Sequence, residues 1–245
     1  MAKGDWSRRH LLAITIPATL AAAASPGLAR TIRGQMPWTP GRVDAPYPFD
    51  GARFLTPQER GCVAAMVERL IPSDARGPGA REAGVIDFID NQLAGSYGRG
   101  DWLYMQGPFG PSTPQQGYQF EEPPAGFYRR GTAALDAACR ERHGGRVFAD
   151  LDAATQDSVL AAMEKGEFEL PDGVPVKAFF ELVHENAIEG FFCDPLYGGN
   201  RDMVGWRLVG FPGARYDYRP YLDHNGQRVT LEPIGLKGGP AWNPR

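Results

Sequence analysis

Residues that break regular structure constrain this chain most. Its 31 glycines and 22 prolines occupy 53 of the 245 positions, well above ordinary usage. They gather in stretches that no helix or central strand crosses without cost. The stretch from Tyr97 to Gly110 mixes aromatic residues with breakers, and residues 191 to 206 read FFCDPLYGGNRDMVGW, too irregular for a helix face or a strand alternation. Aromatic side chains there supply the burial that regular hydrogen bonding does not. Long, ordered, aromatic-rich loops are therefore expected between short regular elements.

Between the breakers, helical spacing dominates. Thr56-Pro57-Gln58-Glu59 predicts a helix start, with Thr at the N-cap, Pro at the first helical position and Glu closing a capping box. Val63, Met66, Val67, Leu70 and Ile71 follow at helical spacing, and Pro72 helps stop the element. Further helices are expected over Ala80 to Leu93, over Ala125 to His143, over Ala153 to Lys165 with Asp152 as N-cap, and over Val174 to Phe192. The one alternating run is at 228–231. With 42% hydrophobic and 22% charged residues, the chain has the composition of an ordinary globular protein. The expected architecture is mainly α, a single helical domain of about five helices with long Gly-, Pro- and aromatic-rich loops.

The first 29 residues set the compartment. Ser7-Arg8-Arg9-His10 precedes an uncharged, Ala-rich run to Leu28, with Gly27-Leu28-Ala29 as a cleavage candidate. Residues 1–29 resemble a twin-arginine export signal, carried by Arg8 and Arg9. Thr15, Thr19, Ser25 and two prolines make the run weakly apolar for a membrane span of about 20 residues, so cleavage near Ala29 is expected rather than anchoring. Residues 30–53 read as an extended arm bearing Trp38, Tyr47 and Phe49, and residues 54–245 as the helical domain with a loop-rich C-terminal part. The formal net charge is -3, and no basic stripe exists to neutralise phosphates, so nucleic acid is not an expected partner.

Motifs for a cofactor are missing. Cys62, Cys139 and Cys193 are too far apart for C-x-x-C-H haem attachment and too few for a four-thiolate cluster. Neither Gly77-Pro78-Gly79 nor Gly198-Gly199 stands in a G-x-G-x-x-G setting between strand and helix. Glu181 and His184 have the i, i+3 spacing of carboxylate-bridged bundles but lack a second such unit. Ser96 and Ser158 lack a nucleophile elbow. No catalytic, cofactor-binding or metal-ligating residue is assigned.

The order of elements resembles a known family. Leu55-Thr56-Pro57-Gln58-Glu59, Leu70-Ile71-Pro72, Gly84-Val85-Ile86-Asp87-Phe88-Ile89-Asp90, the DPLYGGN run at 194–200, Gly205-Trp206 and Gly210-Phe211-Pro212-Gly213 look like the small subunit of membrane-bound gluconate 2-dehydrogenase. The likeness covers residues 53 to 222 and is most specific at DPLYGGN. It implies a non-catalytic subunit, exported by the twin-arginine route to the periplasm and associated with the inner membrane only through its complex. Its implied partners are a flavin-binding catalytic dehydrogenase subunit and a multi-haem cytochrome c subunit, so FAD and haem c are expected in those partners and no cofactor in this chain. Support of assembly, stability and export of the flavoprotein is the implied role. The alternative is a stand-alone periplasmic metal-dependent enzyme using Glu181 and His184, or a periplasmic binding protein.

On this reading the stretch at 193–207 is a docking loop. Cys193, Asp194, Tyr197, Asn200, Arg201, Trp206 and Arg207 are its candidate partner-docking residues, because Trp, Tyr and Arg dominate interface energetics. A self-packed loop covering the helical core is compatible with the same residues. Cys62 and Cys139 sit among apolar helix residues as small hydrophobes. Cys193 is the candidate for a bridge to a partner; three free thiols, or an internal pair, remain open from the sequence.

Overall fold

The computed structural model describes residues 53–110, 113–215, 217–224, 226–227 and 230–236. The export signal with Arg8 and Arg9, and all of the arm except Arg53, lie outside the described residues. So do Arg228 and Val229 of the alternating run. The described chain is mainly helical, as expected.

Five longer helices form the body: α1 (Pro57–Leu70), α2 (Val85–Ala94), α4 (Pro124–Arg142), α5 (Ala153–Lys165) and α6 (Val176–Phe192). Two short ones, α3 (Ser96–Arg99) and α7 (Val204–Val209), lie within stretches read as loop. The start of α1 follows its sequence. Thr56 Oγ1 accepts from the Glu59 backbone N–H, and Glu59 Oε2 accepts from the Thr56 N–H at 2.8 Å. Thr56→Ala removes half of this reciprocal cap and is expected to cost about 1 kcal/mol, measured as a lower urea midpoint. Likewise Asp152 Oδ1 accepts from Thr155 N at 3.0 Å and opens α5.

The second helix differs from its expected span. Residues 80–84 wind as turns, with Val85 N donating to Ala80 O at 3.0 Å, and the helix begins only after Gly84 at φ 71°. A left-handed residue cannot lie inside an α-helix, so the apolar periodicity that ran back to Ala80 belongs to two differently wound pieces.

Buried side chains from all five longer helices share one core, including Val63 and Met66 of α1, Ile89 of α2, Tyr128 and Leu135 of α4, Met163 of α5 and Phe179 and Val183 of α6. The approach of α4 and α6 is unusually close at one point: a Cβ added to Gly131 would lie 2.3 Å from the Phe179 ring. Tyr128 and Tyr97 both donate to Asn186 Oδ1, at 2.9 and 3.1 Å, so the buried amide joins α3, α4 and α6. Asp90, on α2, accepts from the Phe54 and Leu55 N–H groups and pairs with Arg60 at 2.9 Å, fixing where the chain enters the domain. No helix among the described residues is long and apolar enough to cross a membrane.

Candidate functional site

The C-terminus of α6 creates the problem that the loop after it solves. The last carbonyls of a helix have no partner inside it. Here the loop at 193–207 folds back over that end and supplies donors. Asn200 N donates to Gly190 O at 2.9 Å, Asn200 Nδ2 to Cys193 O at 2.8 Å, and Trp206 Nε1 to Phe192 O at 2.7 Å. Asn200 also uses its acceptors: Oδ1 takes the Gly205 N–H at 2.8 Å, and its own carbonyl takes that of Met203 at 2.8 Å. It has no solvent exposure and adopts φ 44°, a left-handed conformation in which Asn is enriched.

Two glycines make this wrap possible through close approach. A Cβ at Gly199 would lie 2.2 Å from Gly190 O, and one at Gly205 would lie 2.2 Å from Phe191 O. Real side chains never come that near a backbone oxygen, so any substitution must push the loop off the helix end. The Gly-Gly-Asn and Gly-Trp signatures are thus the parts of a helix C-cap built from the loop that follows the helix.

Arg201 ties the loop to the second helix. Its N–H donates to Ala83 O at 3.0 Å, and its guanidinium pairs with Asp87, which also pairs with Arg60 of α1. Asp194 opens the loop, with Oδ1 accepting from Leu196 N at 2.9 Å and Oδ2 from Leu236 N at 2.6 Å. Arg207 donates to Asp202 O and pairs with Glu232 at 2.9 Å.

The seven candidate docking residues therefore divide. Asn200 and Trp206 are buried and hold the loop's shape. Cys193 and Asp194 are half-buried. Tyr197, Arg201 and Arg207 are on the outside, beside exposed Leu208, Val209 and Phe211, with Phe192 at the end of α6. Val209 is 60% exposed, so this end of the loop leaves several large apolar side chains in water. The self-packed and the outward-facing roles fall on different residues of one loop.

The Cys193 thiol donates to Gly190 O at 3.4 Å, and burial pushes its pKa up to about 12. Thiol exchange proceeds through the thiolate, which this burial disfavours. Cys62 and Cys139 are buried in the core. Burial drives the Cys62 thiol well above its ordinary range, with the Asp136 carboxylate beside it adding to the shift, and Cys139 rises to about 11. All three are free thiols in this structure.

Glu181 and His184 both face outward on α6, where the His184 ring stacks on Phe180 at 5.9 Å. No group of three or more His, Cys, Asp or Glu is placed to hold a metal ion among the described residues. Sequence reasoning missed the pairing of Asp87 with Arg201, although Asp87 stands in the run at 84–90 that carries the family likeness, and it missed Ile234, which is fully buried in the segment packed along the loop. Ile234 carries a faint signal, an apolar residue between Pro233 and Gly235.

No curated protein and no solved structure matches the chain. The family model described as gluconate 2-dehydrogenase subunit 3 matches residues 57–213, from the first helical residue to the glycine beyond α7, and so takes in the core helices and the whole capped loop. With that match spanning well over half of its length, this chain belongs to the gluconate 2-dehydrogenase subunit 3 family.

Proposed function

We propose that the chain is the non-catalytic small subunit of a periplasmic, membrane-associated, flavin-dependent gluconate or sugar-acid 2-dehydrogenase. In this role it supports assembly, stability and export of the flavin-binding catalytic subunit, alongside a multi-haem cytochrome c subunit. FAD and haem c then belong to those partners. The observation that carries the reading is the capped loop at 193–207. Asn200, Gly205 and Trp206 hold the loop against the helix end, leaving Tyr197, Arg201, Arg207, Leu208, Val209 and Phe211 turned outward. Pre-ordering lowers the entropy lost on association, and Tyr and Arg beside exposed aliphatic groups are the composition of an interface core. Reaction chemistry is carried elsewhere in such an assembly.

Co-expression with a flavoprotein and a c-type cytochrome encoded beside it tests the proposal. Tagged small subunit is expected to bring down a stoichiometric complex with flavin and haem absorbance that oxidises gluconate or a related sugar acid. The chain alone should show no turnover. Turnover by the isolated chain, or a catalytic subunit that assembles and works fully without it, contradicts the proposal. Arg8→Lys with Arg9→Lys should abolish periplasmic dehydrogenase activity if the catalytic subunit, lacking its own signal, travels on this one; unchanged export rules out the carrier role.

A further inference from the structure

The family match ends at Gly213, yet the loop it contains is held from outside that range. Residues 230–236 run back along the loop. Ile234 bridges to Gly213 in parallel, and Ala214 N donates to Ile234 O at 2.7 Å. Arg215 Nη2 donates to Glu232 O at 2.6 Å, Glu232 pairs with Arg207, and Leu236 N donates to Asp194 Oδ2. The approach is so tight that a Cβ at Gly213 would lie 2.1 Å from Ile234 O. Two candidate docking residues at opposite ends of the loop, Asp194 and Arg207, are thus held by one short segment.

That segment is attached unlike the core helices. Ile234 is buried without exposure, Pro233 and Gly235 are buried beside it and Leu231 is half-buried, while Glu232 and Leu236 point into water. A short segment with few apolar anchors and hydrogen bonds near the surface opens at lower free energy than packed helices do. Leu236, at 59% exposure, adds to the exposed Leu208, Val209 and Phe211 of the same region.

We propose that residues 230–236 form a strap, separable from the helical core, that completes the partner-facing surface by fixing Asp194 and Arg207 and adding Leu236. Its occupant is the flavin-binding catalytic subunit, and that part of the inference rests on the function proposed above. The strap favours association, because it removes freedom from the loop before the partner arrives.

Amide exchange on the full chain with Ile234→Ala, and with the milder Ile234→Val, tests the first half. Exchange of the Ala214 and Leu236 amides is expected to accelerate about thirty-fold in Ile234→Ala, as for a truncated buried aliphatic residue, and less in Ile234→Val. The Ile71 and His143 amides, which close α1 and α4, should exchange as in the wild type. Equal acceleration of the core amides, or none at the strap, overturns the strap as a separate unit. Association with the purified flavoprotein tests the second half, and Ile234→Ala should weaken it about ten-fold or more, scaled to the opening of the strap. Unchanged or tighter association in a variant whose strap has opened overturns its role in the surface. Failure of the wild-type chain itself to associate overturns the subunit assignment instead, while the exchange result still decides whether the strap is separable.

Discussion

Asn200→Asp is expected to destabilise the loop by about 3 kcal/mol at neutral pH, a large effect for a near-isosteric change. The exchange keeps the side-chain volume and a residue type that tolerates the left-handed region, so backbone strain is not the cause. What changes is Nδ2. It now donates to Cys193 O at 2.8 Å; in the variant a carboxylate oxygen faces that carbonyl with no exposure to water. Neither oxygen can donate, and the charge has lost its solvent.

Burial should raise the pKa of the new carboxyl in the folded state. A raised acid pKa means that the folded form holds its proton more firmly, so the penalty is smallest below the unfolded value of about 4 and grows as pH rises above it. Amide exchange at Gly205, whose N–H rests on Asn200 Oδ1, and urea titrations at pH 3.5 and 7 measure both parts. A variant as stable as the wild type at pH 7 would show that the amide is not the keystone of the cap. The expected functional consequence is weaker association with the partner, since Arg201, Gly205 and Trp206 are placed through this residue.

Gly131→Ala is expected to destabilise by about 2 kcal/mol, opposite in sign to what helix propensity predicts. Glycine in a helix interior is less favourable than alanine by about 1 kcal/mol, and Gly131 lies inside α4, so a surface site would gain from the change. Here the new methyl would lie 2.3 Å from two carbons of the Phe179 ring. That ring has little freedom to swing away. It is fully buried, with Phe127 and Tyr128 at centroid distances of 5.9 and 6.2 Å. The helices must separate or the ring must leave its rotamer, and both cost more than the propensity gain. Gly61→Ala is the control. It lies within α1 with nothing within 4 Å of where a Cβ would stand, and it should stabilise by about 0.5–1 kcal/mol. The two midpoints measured side by side give opposite shifts if packing decides the first and propensity the second.

The contrast between these glycines shows where sequence reading stops. Both stand in runs with helical spacing, and nothing local separates the one that fills open space from the one that makes room for Phe179, 48 positions away. The helices themselves were legible because their signals are local. Thr56, Pro57 and Glu59 cap α1 through contacts three residues apart, Asp152 does the same for α5, and apolar spacing marks the faces that meet in the core. The break at Gly84 was not legible, since apolar periodicity records which side of a segment is buried but not how its backbone winds.

The loop divides in the same way. Its residues alone mark 191–206 as ordered and irregular, and their order carries the family likeness. Which of them face inward was a tertiary decision: Asn200 and Trp206 are drawn in because the open carbonyls at the end of α6 need donors, and Arg201 is turned toward Asp87 by a helix more than a hundred residues earlier. The strap was least visible, because one Ile between Pro and Gly gains meaning only when Gly213 leaves it room. Short-range hydrogen bonds and periodic burial are written in neighbouring residues; long-range capping depends on which backbone groups the fold leaves unpaired, and only the folded chain determines that.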